Sequence, residues 1–82
     1  MSKNMDKTQE KLKEETEKWL EKLEDRIEDR DTSVEQMENV EAYKNDTYHF
    51  LEEEDFIRDW ESVIYAWGIL ETLERLGKFE KD

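Results

Sequence analysis

The chain contains no proline and only two glycines, Gly68 and Gly77, in 82 residues. Proline breaks helices, and a glycine inside one costs about 1 kcal/mol relative to alanine. A sequence nearly free of both, and rich in Glu, Lys and Leu, has few places where a helix must stop. Strand-like alternation and internal repeats are absent. The expected class is all-α.

Two polar breaks divide the chain into three amphipathic segments. The first helix is expected over about 5–30, from Met5 or Asp6 to Arg30. Met5, Thr8, Leu12, Thr16, Trp19, Leu20, Leu23 and Ile27 share one third of its circumference, and charged residues with Gln9 fill the rest. Asp31-Thr32-Ser33 is the first break, and Ser33 with Gln36, or Thr32 with Glu35, reads as a capping box. The second helix is expected over 34–53, with Met37, Val40, Tyr43, Thr47, Tyr48, Phe50 and Leu51 on one side. After a short turn at Glu53-Glu54-Asp55, Asp55 is the natural N-cap of a third helix over 56–76. Gly77 is its left-handed C-cap. Phe56, Ile57, Trp60, Val63, Ile64, Trp67, Leu70 and Leu73 form the expected core side. Short connections between three helices give an antiparallel up-down-up three-helix bundle over 5–79, with a frayed tail at 1–4 and a short tail at 80–82.

The chain is 46% charged with a net charge of −12, yet nine aromatics supply large buried area from few positions. The balance argues against direct binding of nucleic acid, which needs cations to neutralise phosphates, and against anionic membranes. No uncharged run approaches a membrane span, and the start lacks a signal peptide's apolar stretch. A cytoplasmic protein is expected. Without cysteine there is no disulfide or thiolate chemistry. The Glu/Lys usage leans toward thermophile surfaces.

The string Trp60-Glu61-Ser62-Val63-Ile64-Tyr65-Ala66-Trp67-Gly68-Ile69-Leu70 with Leu76-Gly77 resembles an archaeal family known as domain of unknown function 357. Tyr43, Asp46, Tyr48, Phe50 and Leu51 fit that family's second helix, and Glu15-Thr16 with Trp19-Leu20 fit its first. The resemblance implies a three-helix bundle and an archaeal source. It implies no activity. The family's turn before the third helix often carries Gly-Asp, where this chain has Glu54-Asp55.

Five features bear on function. Tyr65, Ile69, Thr72 and Leu76 form a second stripe on the third helix, beyond what two neighbouring helices can cover. Phe79 and the tail could cover it, or else a second copy or another protein. Gly68 in mid-helix implies close packing of a neighbouring helix or a ligand. His49 lies among Asp46, Glu52 and Glu53 on the second helix, with Asp46 and His49 at a spacing by which helices present metal ligands; the group faces outward, and a solvated acidic face is the simpler reading. Lys44 followed by His49 faintly resembles a HEPN-type ribonuclease motif whose arginine is missing. Finally, Thr32 to Asp55 holds eight acidic residues and one lysine, a segment charge of −7, which suits solubility or a basic partner, including a nucleic-acid-binding protein that it mimics. The expected function is a non-enzymatic interaction or self-assembly module, with a protein partner or second copy and no cofactor. The acidic face is the alternative, and an enzyme or metal site around His49 the next.

Overall fold

The computed structural model of the protein describes residues 7–30 and 33–79. The expectations for Met5, for 1–4, for Asp31 and Thr32 and for 80–82 lie outside them. The helices are α1 (Lys7–Glu28), α2 (Met37–Glu52) and α3 (Phe56–Arg75). No strand occurs among the described residues.

The helix α3 stands between the other two, which scarcely touch one another. Pairings along α1 and α3 rise together: Thr16 meets Asp59, Trp19 meets Trp67 and Arg26 meets Glu74, so these helices run parallel. Along α2 they run in opposite order, Tyr43 beside Tyr65 and Phe50 beside Arg58. The up-down-up path follows from these contacts. The core joins Leu20, Leu23 and Ile27 of α1, Met37 and Val40 of α2, and Val63, Ala66, Trp67, Leu70 and Leu73 of α3.

Phe56, Asp59, Val63, Ala66, Leu70 and Leu73 are all buried and spaced alternately three and four apart, the seam spacing of packed helices. This register corrects the expected core side of α3. Ile57 and Ile64, read as core, are 63% and 41% exposed. They fall off the seam because Asp59 and Ala66, which look less like core residues, occupy it. Tyr48 of α2 is likewise exposed rather than core, and its hydroxyl donates to the Glu24 carboxylate of α1. Glu24 beside it pushes the Tyr48 phenol up to about 12, the hydrogen bond contributing most and burial next.

The second helix starts three residues later than expected. Met37, Glu38 and Asn39 donate their N–H groups to the carbonyls of Val34, Glu35 and Gln36 at 2.9, 3.2 and 3.1 Å, forming a tight turn. Gln36 takes the N-cap position with no side-chain capping bond. Val34, which packs on the core from within this turn, accounts for the delay. The expected caps of α3 are present: the Asp55 carboxylate accepts from the Arg58 N–H at 3.2 Å, and Gly77 is left-handed at φ 70°.

Both α2 and α3 end in the same motif. At the end of α3, Gly77 N–H donates to Glu74 C=O at 3.1 Å and Lys78 N–H to Leu73 C=O at 3.0 Å. At the end of α2, Glu54 N–H donates to Leu51 C=O at 3.1 Å and Asp55 N–H to Phe50 C=O at 2.9 Å. These are the paired bonds of a Schellman stop, which places its C′ residue in the left-handed region. At α2 that residue is Glu54, at φ 60°. A side chain there costs about 1 kcal/mol that glycine escapes. Glu54→Gly is expected to raise the melting temperature by about 4–8 °C, the equivalent of about 1 kcal/mol in a domain of this size. Thermal unfolding followed by circular dichroism checks it, and an unchanged midpoint would mean the turn carries no such strain.

Candidate docking face

Helix α3 uses its seam for α1 and α2 and leaves an outward face. On that face Glu61, Gly68 and Arg75 recur every seventh residue, flanked by Ile57, Ile64, Tyr65 and Thr72, and all seven are exposed. Tyr65 is 57% exposed although its ring leans on Tyr43, with centroids 5.5 Å apart. Leu76, just past the helix end, is 65% exposed. A groove of about 660 Å³ runs along this side, lined by Ile64, Tyr65, Gly68, Ile69, Thr72 and Leu76 among others, with Gln36 and Lys78 at its polar margin. A second hollow of about 390 Å³ lies across Ile64 and Gly68, between Trp19, Trp60 and Trp67.

All four stripe residues from the sequence, Tyr65, Ile69, Thr72 and Leu76, are thus brought together on one wall. Ile69 is half-buried and packs on the core; the other three are exposed. Phe79 packs against the core beneath the Arg30 guanidinium, 5.6 Å from it, and does not line this groove. Gly68 departs from its expected role. A methyl placed on its Cα would meet nothing within 4 Å beyond the helix's own backbone, so no neighbouring helix within the chain needs the glycine. Its carbonyl accepts from Thr72 Oγ1 at 2.8 Å, which satisfies the Thr72 hydroxyl within the helix. Ile64 belongs to the same face. Sequence reasoning assigned it to the core because α3 has more apolar residues than seam positions; the signal that could have separated them is the three-four run through Asp59.

The inner side of α3 carries the polar groups that fix α1. Glu74 accepts from Arg26 Nη1 at 2.9 and 3.0 Å, and from Arg30 Nε and Nη2 at 3.0 and 2.7 Å. Burial alone would raise the Glu74 carboxyl, but the two arginines outweigh it and hold the group below its ordinary value. Trp67 Nε1 donates to the Trp19 carbonyl at 3.0 Å, and the two indoles meet edge to face at 5.7 Å. Deeper in, Asp59 is fully buried; its Oδ1 accepts from Thr16 Oγ1 at 3.1 Å while Oδ2 has no partner among the described residues. Burial pushes this carboxyl up to about 6, with Asp55 and Glu17 adding to the rise and the Thr16 hydroxyl opposing it.

The acidic group on α2 is arranged as a solvated face. His49 Nε2 lies 3.4 Å from Glu53 Oε2, with both side chains well exposed. Asp46 and Glu52 are exposed nearby. Among the described residues no three His, Cys, Asp or Glu side chains are grouped so as to hold a metal ion. Lys44 is drawn to Glu41, at 2.9 Å, rather than toward His49. No described helix is long and apolar enough to cross a membrane.

Seam, caps and uncovered face together define a small three-helix protein of one compact layer around α3. The sequence model of the family described as Protein of unknown function (DUF357) matches residues 3–79, and the chain belongs to that family. It is similar to protein AF1782 from Archaeoglobus fulgidus, known from a crystal structure, at 39% identity and a TM-score of 0.78. That match covers 92% of this chain and 99% of the other. No curated protein matches the chain.

Proposed function

We propose that this protein is a non-enzymatic interaction or self-assembly module of archaeal origin, docking through the outward face of α3. The observation that carries this reading is the apolar groove along Tyr65, Ile69, Thr72 and Leu76, which nothing in the described chain covers. Ile64, Tyr65 and Leu76, all on this groove, are 41%, 57% and 65% exposed, and contiguous apolar surface of this kind often marks a partner site. The mechanism is removal of that surface from water, with the acidic exterior excluding anionic surroundings.

Light scattering after size exclusion, at low and high salt, tests the reading together with a Tyr65→Glu/Ile69→Glu double variant. Association that persists in high salt and disappears in the double variant is the expected result, because apolar burial is not screened by ions. Ile69 also packs on the core, so the helical spectrum and melting midpoint of the variant are measured beside its association, and Tyr65→Glu/Thr72→Glu, at two exposed positions, repeats the test without touching the core. Association that weakens as salt rises and ignores the double variant would transfer the role to the acidic face of α2.

A further inference from the structure

We infer that the occupant of the α3 face is a second copy of this chain, packed antiparallel about a two-fold axis that passes beside Gly68. The inference rests on the docking reading above and adds partner, orientation and register to it. Three observations point to it. The first is Gly68 itself. A helix-interior glycine is a cost, and here no contact within the chain offsets it, since the space over its Cα is open. Such a position admits the backbone of an approaching helix, and the grooves on its two sides, sharing Ile64 and Gly68, can receive that helix's ridges.

The second observation is charge. In a two-fold antiparallel pair the residue a given number of positions before the crossing point faces the residue the same number after it. With Gly68 at the crossing, Glu61 faces Arg75 of the second copy, and symmetry makes the pair twice. Both side chains are exposed on the outward face, and neither has an ion-pair partner within the described residues. In the same register Ile64 faces Thr72, whose hydroxyl is already satisfied by the Gly68 carbonyl. Seven residues of helix span about 10 Å, so both charged pairs remain in reach at the shallow crossing angle common in bundles.

The third observation excludes other faces. The chain carries a net charge of −12, which opposes self-association over most of its surface. Along the outward side of α3, however, Arg58, Arg75 and Lys78 stand against Glu61, Glu71 and the Asp55 that pairs with Arg58 at 3.6 Å, three cations against three carboxylates, for a local charge of zero. Two acidic molecules can approach here without the repulsion that the rest of the surface imposes.

Charge exchange tests the register. The dissociation constant of the full-length chain is measured by sedimentation equilibrium for the wild type, E61R, R75E and the double exchange E61R/R75E. Each single exchange sets like charges against each other twice and is expected to weaken the dimer at least about tenfold. The double exchange restores both pairs and is expected to return the constant to near the wild-type value. Gly68→Leu, which meets open space within the chain, is expected to give a folded monomer with a raised melting temperature. A dimer indifferent to the charge exchanges but dispersed by Tyr65→Glu/Ile69→Glu would overturn this register while leaving the docking face in place. A dimer indifferent to both sets would overturn face and register alike. A wild type that stays monomeric across the concentration series would overturn the second copy as occupant.

Discussion

At pH 8 the Asp59→Asn variant is expected to melt about 10 °C above the wild type, and at pH 3 about 4–8 °C below it. Asp59 is fully buried, with one carboxylate oxygen bonded to Thr16 and the other unpartnered. Burial raises the carboxyl from 3.8 to about 6 in the folded protein. Because the folded value lies above the unfolded one, the folded chain holds more protons between about pH 4 and pH 6. Stability is therefore full below that window and falls as pH rises through it. The loss amounts to roughly 3 kcal/mol once the group is ionised. Asparagine keeps the acceptor that Thr16 needs and removes the charge, at a cost of about 1 kcal/mol for an amide without an acceptor. A net gain of about 2 kcal/mol corresponds to the stated shift in a domain this small. Melting curves of both proteins across the pH range decide the matter; a constant offset at every pH would show that Asp59 does not titrate in this window.

Trp67→Ala is expected to lower the melting temperature by about 15–30 °C. Truncating a buried tryptophan costs about 3–5 kcal/mol, which is a large part of the total stability of an ordinary domain. Here the side chain, only 7% exposed, joins several contacts at once. It meets Trp19 edge to face, donates to the Trp19 carbonyl and lies 5.2 Å beneath the Arg26 guanidinium, which is itself held by Glu74. Denaturant unfolding of Trp67→Ala and of Trp67→Phe separates these contributions. Phenylalanine retains most of the buried area but loses the indole N–H bond to the Trp19 carbonyl, so it should fall between alanine and the wild type. Equal stability of Trp67→Ala and the wild type would remove the indole from the core.

Much of this architecture was legible in the residues. Asp55 and Gly77 mark the limits of α3 because capping chemistry is local and needs no knowledge of the partners. Leu20, Leu23 and Ile27 recur at helical spacing among charged neighbours, which leaves only one face to bury. In α3 that logic weakens, because apolar residues occur nearly all the way round. Ile57 and Ile64 are as hydrophobic as Val63 and Leu70, and only geometry shows that Asp59 and Ala66 hold the seam positions between them. The start of α2 was displaced for a different reason. Val34, packed on the core, draws the chain into a turn before the helix begins. The stripe of Tyr65, Ile69, Thr72 and Leu76 was readable as surplus, yet the openness above Gly68 was not. The sequence announces that a glycine stands in mid-helix; whether a neighbour fills the space above it depends on where the other helices lie.

The central position of α3 also has an evolutionary consequence. Since α1 and α2 scarcely meet, each needs to preserve only the side it turns toward α3. Their remaining circumference is free to drift among Glu, Lys, Gln and Arg, provided helix propensity is kept. The middle helix has two sides to keep: Asp59, Trp67 and Glu74 face α1, and Tyr65 leans on α2. Lineages of this fold are therefore expected to diverge mainly along their first and second helices, with the third changing most slowly and bearing the record of descent.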